Sequence, residues 1–246
     1  MEPEQAQRRA EQTWIEWQMI DSMFPTGGFA HSLGLEAAVQ EKLVVASSSG
    51  ESLRQFLISS LHQAGNFALP MVHTMMSSSS LTAERFLEVN AYAQALFTNH
   101  VAAKASLAQG AALLRLAMST YSRVLSPNGE PSVLLSIRKQ LRARKDPGPH
   151  FPVMFGLVCG LLRLDGHTCQ RMFLYFTLRD LLSAATRLNL IGPLEAANIQ
   201  FEMRNEAERV FQAKRDRPIE SAYSSAPILD LVQGMHDQLY TRIFNS

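Results

Sequence analysis

The chain has 246 residues, 46% hydrophobic and only 18% charged, with a formal net charge of +1. A sizeable apolar core is therefore available, and a charged fraction below the about 25% of ordinary domains points to extensive burial, some of it against other proteins. Near-neutrality gives no global field for nucleic acid or an anionic membrane, and two cysteines exclude a disulfide-dense scaffold. No apolar run reaches the ~18 residues of a membrane span. The N-terminus lacks the apolar stretch of a signal peptide, so the cytoplasm is the expected compartment.

In chain order, residues 1–11 form a polar extension whose composition is compatible with disorder. Trp14, Ile15, Trp17, Met19 and Ile20 then give an aromatic amphipathic helix, and a second helix is expected from about residue 33. Leu53, Phe56, Leu57 and Leu61 recur at the spacing of one helix face. So do Phe86, Val89, Ala93, Leu96 and Phe97. Residues 99–118 are rich in alanine, with Gly110 among them, which predicts a helix that neighbours approach closely. Val133, Leu134, Ile137 and Leu141 mark another face. The basic run Arg138, Lys139, Arg142, Arg144 and Lys145 beside it reads as a solvated surface or a surface for an acidic partner. Residues 168–188 are apolar almost all round, as in a buried helix. Pro193 and Glu195 suit the first turn of a further helix carrying Ile199, Met203, Ala207, Val210 and Phe211. Short polar breaks fall at Ser47–Gly50, Ser77–Ser80, Ser126–Pro131 and Asp146–Pro152. Strand alternation, internal repeats and interdomain linkers are absent. The expectation is an all-α, single-domain helical bundle of roughly ten helices over residues 12–246.

The most distinctive segment is Asp21-Ser-Met-Phe-Pro-Thr-Gly-Gly-Phe-Ala-His31-Ser-Leu-Gly-Leu-Glu36. Pro25 disfavours helix at Phe24, and Gly27 and Gly28 permit positive φ or close backbone approach. The result is a shaped loop delivering Phe29 and His31, although Pro-Gly-Gly is also ordinary turn chemistry. This order of residues resembles the N-terminal signature of the UreF family of urease accessory proteins. Three further elements continue the resemblance: His150-Phe-Pro-Val-Met-Phe-Gly156; Ser183-Ala-Ala-Thr-Arg-Leu-Asn-Leu-Ile-Gly192; and the tail from Pro227 through His236, Tyr240, Arg242 and Phe244 to Ser246. Leu194-Glu195 replaces the Gln-Thr of bacterial members. With the Trp14-Ile-Glu-Trp17 lead-in, that makes the chain look like the eukaryotic branch.

The resemblance implies an all-helical homodimer without a catalytic site, which binds the accessory protein UreD (UreH), recruits and regulates the GTPase UreG, and engages apo-urease. Nickel would be handled by that complex, with no cofactor tightly bound to this chain. It marks Pro25, Gly27, Phe29, His31, Ser32, Glu36, Arg187, His236, Tyr240, Arg242 and Phe244 as partner-binding. The tail from about 227 to 246 is the leading docking element, because Ile228, Leu231, Val232, Met235 and Leu239 form one stripe and Tyr and Arg are common interface anchors. It docks either on its own domain or against UreD. Residues 239–246 are expected to be dispensable for the helical core.

Other chemistries find less support. His31, Cys159, His167 and Cys169 are the only candidate metal ligands, and Cys-x7-His-x-Cys fits no standard spacing. A nickel-binding chaperone therefore stands as an alternative without a visible site. Neighbouring His31 and Ser32 on a helix would not face each other. No nucleophile elbow or phosphate-binding loop is present.

Overall fold

The computed structural model describes residues 3–46, 50–126 and 132–246, so most of the turns expected at Ser47–Gly50 and Ser126–Pro131 lies outside them. Among the described residues every regular element is helical. The α-helices are α1 (Pro3–Ile20), α2 (Leu35–Gln40), α3 (Glu51–Gln63), α4 (Leu69–Met76), α5 (Ala83–Leu96), α6 (His100–Thr120), α7 (Ser122–Leu125), α8 (Val133–Arg144), α9 (Phe151–Leu161), α10 (Gly166–Arg187), α11 (Pro193–Lys214) and α12 (Pro227–Gly234). Helix starts follow from local chemistry. The side chains of Thr82, Asn99, Ser132 and Asp165 accept backbone N–H groups that would otherwise lack partners. Proline opens α9, α11 and α12, where its missing N–H costs nothing.

The centre of the molecule is α9, whose residues from Phe151 to Cys159 are all buried. It packs mainly on α4 and α6. Gly156 makes the first contact possible, since a Cβ there would lie 2.6 Å from the Val72 carbonyl oxygen. Gly110 does the same for the second, where a Cβ would meet the Pro149 carbonyl oxygen at 2.0 Å. Helix α10 lies alongside, in contact with α1, α2, α3, α4, α9 and α11. Phe151, Phe155, Phe173 and Phe176 interlock between α9 and α10, with ring centroids 5.0–6.1 Å apart. Such pairs favour edge-to-face geometry.

Three sequence expectations change. The polar extension is helical from Pro3 onward, because it continues α1 without a break. Within α1, Ile15 and Met19 face the protein, whereas Trp14 and Trp17 are 68% and 54% exposed, so the aromatic face is not the buried one. Phe97 caps α5 outside the helix, where its ring stacks on His150 at 4.3 Å. A π-helical turn at Ala64–Ala68 also joins α3 to α4, which the periodicity did not reveal.

Candidate functional site

The signature loop leaves α1 at Asp21, turns through Pro25 and Gly27, and forms one 3-10 turn at Gly28–Ala30 before α2. Gly27 has φ +85°, a conformation that glycine adopts without penalty. Gly28 is needed for a different reason: a Cβ there would lie 2.3 Å from Asp180 Oδ2 on α10. The loop is thereby pressed against α10, which places His31 and Ser32 in the interior and leaves Phe29 60% exposed.

The C-terminal tail closes on this loop. After α12, a 3-10 turn at Met235–Gln238 buries His236 completely. Glu36, in the first turn of α2 and 1% exposed, then collects three donors: His236 Nε2 at 3.1 Å, Ile243 N at 2.6 Å and Phe244 N at 3.2 Å. A carboxylate can accept all three, so the buried charge is compensated by partners from one short segment. The last residue, Ser246, is buried as well. Its carbonyl oxygen accepts from Ser32 N at 2.7 Å and Ser32 Oγ at 3.2 Å, and its hydroxyl lies 2.6 Å from His31 Nδ1. Burial, followed by the nearby His236 and Lys104, lowers the His31 pKa to about 4, so this imidazole is neutral at physiological pH.

Arg187, at the end of α10, joins the two segments. Its guanidinium donates to the Phe29 carbonyl oxygen and lies over the Phe244 ring, 4.2 Å from the centroid. Three motifs far apart in the chain thus meet in one place: the signature loop, the end of α10 and the tail. The fourth does not join them. His150 starts α9, where its backbone N–H donates to Asn90 Oδ1 at 2.8 Å. Its Nε2 donates to Gln94 Oε1 at 2.9 Å, which makes Nδ1 the acceptor for the Ser106 hydroxyl at 3.1 Å. This motif builds the core beneath Gly110 and Gly156, away from the tail.

Around the buried seam the surface divides. Tyr240 is fully exposed, Ile243, Ile228 and Leu231 are 57%, 69% and 67% exposed, and of the α12 stripe Val232 is the residue that is buried. The stripe read from the sequence is therefore split: Ile228 and Leu231 face outward, Val232 is buried, and Met235 and Leu239 are half-buried, with Leu239 packed against the core. Pro25, Gly27, Lys104, Arg115 and Arg242 line a shallow basic depression of about 760 Å³ beside it. Arg242 reaches Asp237 at 3.5 Å. Phe244, by contrast, is 4% exposed and anchors the tail to its own domain. Residues 239–246 are thus part of the fold, which corrects the expectation that they are dispensable. Sequence reading missed Ser246 as a buried anchor, because a terminal serine carries no periodic signal.

The four candidate metal ligands do not converge. Cys159 and Cys169 are free and buried, and desolvation first and the neighbouring Cys169 second push the Cys159 thiol well up. His167 Nε2 instead meets Asp216 at 2.9 Å, and His31 faces Ser246. Among the described residues no group of three or more His, Cys, Asp or Glu is arranged to hold a metal ion, and no helix is long and apolar enough to cross a membrane.

Comparison with known proteins fits this arrangement. The UreF family pattern matches residues 47–204. The chain is 41% identical over 231 residues to urease accessory protein F of Oryza sativa subsp. japonica, covering 94% of this chain and 84% of the relative. It is 42% identical over 233 residues to urease accessory protein F of Arabidopsis thaliana, with 95% and 92% covered. An uncharacterized urease accessory protein UreF-like of Schizosaccharomyces pombe is 28% identical over 241 residues, with 96% and 97% covered. With plant relatives this similar along nearly its whole length, and with its signature loop, α10 and tail folded into one seam, this chain belongs to the UreF family of urease accessory proteins.

Proposed function

We propose that this chain serves urease maturation as a non-catalytic scaffold. In this reading it binds UreD, recruits the GTPase UreG and regulates its activity while nickel is delivered to apo-urease. It acts as a homodimer in the cytoplasm, and the assembled complex rather than this chain alone handles the nickel. One observation carries the proposal: the tail is anchored from beneath by Glu36, Arg187 and Phe244 while Ile228, Leu231, Tyr240 and Ile243 point outward. A tail held rigidly with its apolar groups in solvent is preorganised for docking, because the ordering entropy is already met before the partner arrives. The adjoining depression with Lys104, Arg115 and Arg242 adds a charged rim that steers an acidic partner.

The test is co-expression with UreD and UreG followed by sizing of the complex. The unaltered chain should co-elute with both partners, bind no GTP alone, and change the GTP hydrolysis rate of UreG in the complex. A Tyr240→Ala/Ile228→Asp double variant should keep its melting temperature yet lose UreD, since anchors of this kind cost about 2 kcal/mol or more, some 30-fold in affinity. Retained UreD binding at an unchanged melting temperature rejects the tail as the docking face. Unchanged hydrolysis at every stoichiometry rejects the regulatory role.

A further inference from the structure

A cavity of about 190 Å³ lies between α6, α10, the π turn and α12, apart from the tail seam although Gly28 of the signature loop borders it. Its walls carry five phenylalanine rings: Phe67, Phe97, Phe151, Phe173 and Phe176. Phe67 and Phe97 meet edge to face at 4.9 Å on one side, and Phe173 and Phe176 at 5.0 Å on the other. The charged side chains lining it are Asp180 and Asp230, with no lysine, arginine or histidine among them.

Asp180 is the group that gives the cavity a sign. Its Oδ1 takes two bonds from Arg179, from Nε at 2.9 Å and from Nη2 at 2.7 Å. Its Oδ2 accepts no hydrogen bond among the described residues and lies against Gly28, where any side chain would collide with it. Arg179 pairs with Oδ1 and donates through Nη1 to the Ile20 carbonyl oxygen, and it is not among the residues lining the cavity. An ionised carboxylate oxygen is only an acceptor, so whatever meets Oδ2 must bring a donor. Aromatic faces carry negative potential and favour a cation over a neutral donor. An apolar site of about 150 Å³ accommodates benzene, so this one takes roughly eight non-hydrogen atoms.

We infer that this cavity is a binding site for a small organic ammonium ion, an amine bearing one aromatic or compact alkyl group, with the nitrogen at Asp180 Oδ2 and the apolar body among the phenylalanine rings. Asp230 stands at the α12 side, its backbone carbonyl fixed by Asn99 Nδ2 at 2.7 Å, and is the second carboxylate in the lining. Because Leu229, Asp230 and Gln233 of α12 share the wall with Gly28 and Leu33, an occupant also ties the tail helix to the signature loop. The site does not depend on the scaffold role and is tested on the isolated chain.

Benzylamine is the probe, with benzyl alcohol as its uncharged counterpart and ammonium chloride at equal ionic strength as the charge alone. Calorimetry and melting temperature should show benzylamine binding about tenfold or more tighter than the alcohol, and ammonium should raise the melting temperature not at all. Asp180→Asn, which retains an oxygen for Arg179, should abolish the preference for the amine. Ala105→Leu, filling the wall from α6 without touching the Arg179 pair, should abolish binding of both organic probes while circular dichroism remains helical. Equal binding of amine and alcohol to the unaltered chain, no binding of benzylamine, an ammonium effect equal to that of benzylamine, or benzylamine binding undiminished in Ala105→Leu would each overturn the inference.

Discussion

Glu36 carries a larger structural role than any other charged side chain near the tail. It sits 1% exposed at the start of α2, and its three donors all belong to residues 236–244. Replacing it with alanine leaves the Ile243 and Phe244 N–H groups and the His236 ring without their acceptor in a dry environment. Breaking a buried charged cluster from one side costs about 3–5 kcal/mol. Glu36→Ala should therefore lower stability by that order and release the tail, which limited proteolysis after residue 238 would register as a new cleavage. Glu36→Gln keeps one acceptor and should fall between. An Ala variant with unchanged stability and an uncut tail would mean that Phe244 and Arg187 hold the tail unaided. The signature glutamate was visible in the sequence as a family residue, but its partners were not. They come from 200 or more positions away, and no local period connects Glu36 to Ile243.

Elements whose identity rests on local periodicity were readable, and those fixed by a neighbour were not. Leu53, Phe56, Leu57 and Leu61 announce α3, and Pro193 announces the start of α11, because both signals lie within one or two turns. The π turn at Ala64–Ala68, the exposure of Trp14 and Trp17, and the outward face of α12 depend on what packs alongside, which a single-helix pattern does not encode. The glycines show the same division. Gly156 looked like one residue of a motif; in the structure it is the point where α4 crosses α9, with the Val72 carbonyl oxygen 2.6 Å from a would-be Cβ. Backbone cannot yield as a flexible side chain does, so Gly156→Ala must move one helix axis, at a cost of about 1–3 kcal/mol for overpacking. Alanine otherwise favours helix by about 1 kcal/mol over glycine, so a destabilised variant isolates the packing effect. Urea denaturation should show a lower midpoint with an unchanged slope. A stabilised variant would mean that the two helices can separate freely.

At the scale of the whole molecule, two of the signature histidines, His31 and His150, make the fold sensitive to acid. His31 lies under the tail and His150 lies at the head of α9, and burial lowers each pKa to about 4 from 6.5. Above pH 6.5 both folded and unfolded chains hold these rings neutral, so their contribution to stability is complete. As the pH falls below 6.5 the unfolded chain takes up the protons while the folded chain refuses them until about pH 4, and stability drops throughout that window. Linkage puts the loss at about 2 kcal/mol for each ring by pH 5, or about 4 kcal/mol together, a large part of the about 5–15 kcal/mol typical of a domain. Asp180 acts in the opposite sense, because burial raises its pKa and the folded chain accepts that proton more readily, whereas His73, also lowered by burial, adds to the loss from the two rings. The geometry explains why neither ring can simply charge. His150 already donates through Nε2, and its Nδ1 accepts from the Ser106 hydroxyl, which in turn accepts from Phe151 N, so a second ring proton would displace the Ser106 donor. His31 would acquire a charge beside Lys104 and His236. Denaturation midpoints measured from pH 7.5 to 5 should therefore fall steadily below pH 6.5. His31→Gln, which can still meet the Ser246 hydroxyl, should show a clearly shallower slope whatever its stability at neutral pH. A flat profile in the unaltered chain, or an unaltered slope in His31→Gln, would show that these rings accept protons in place.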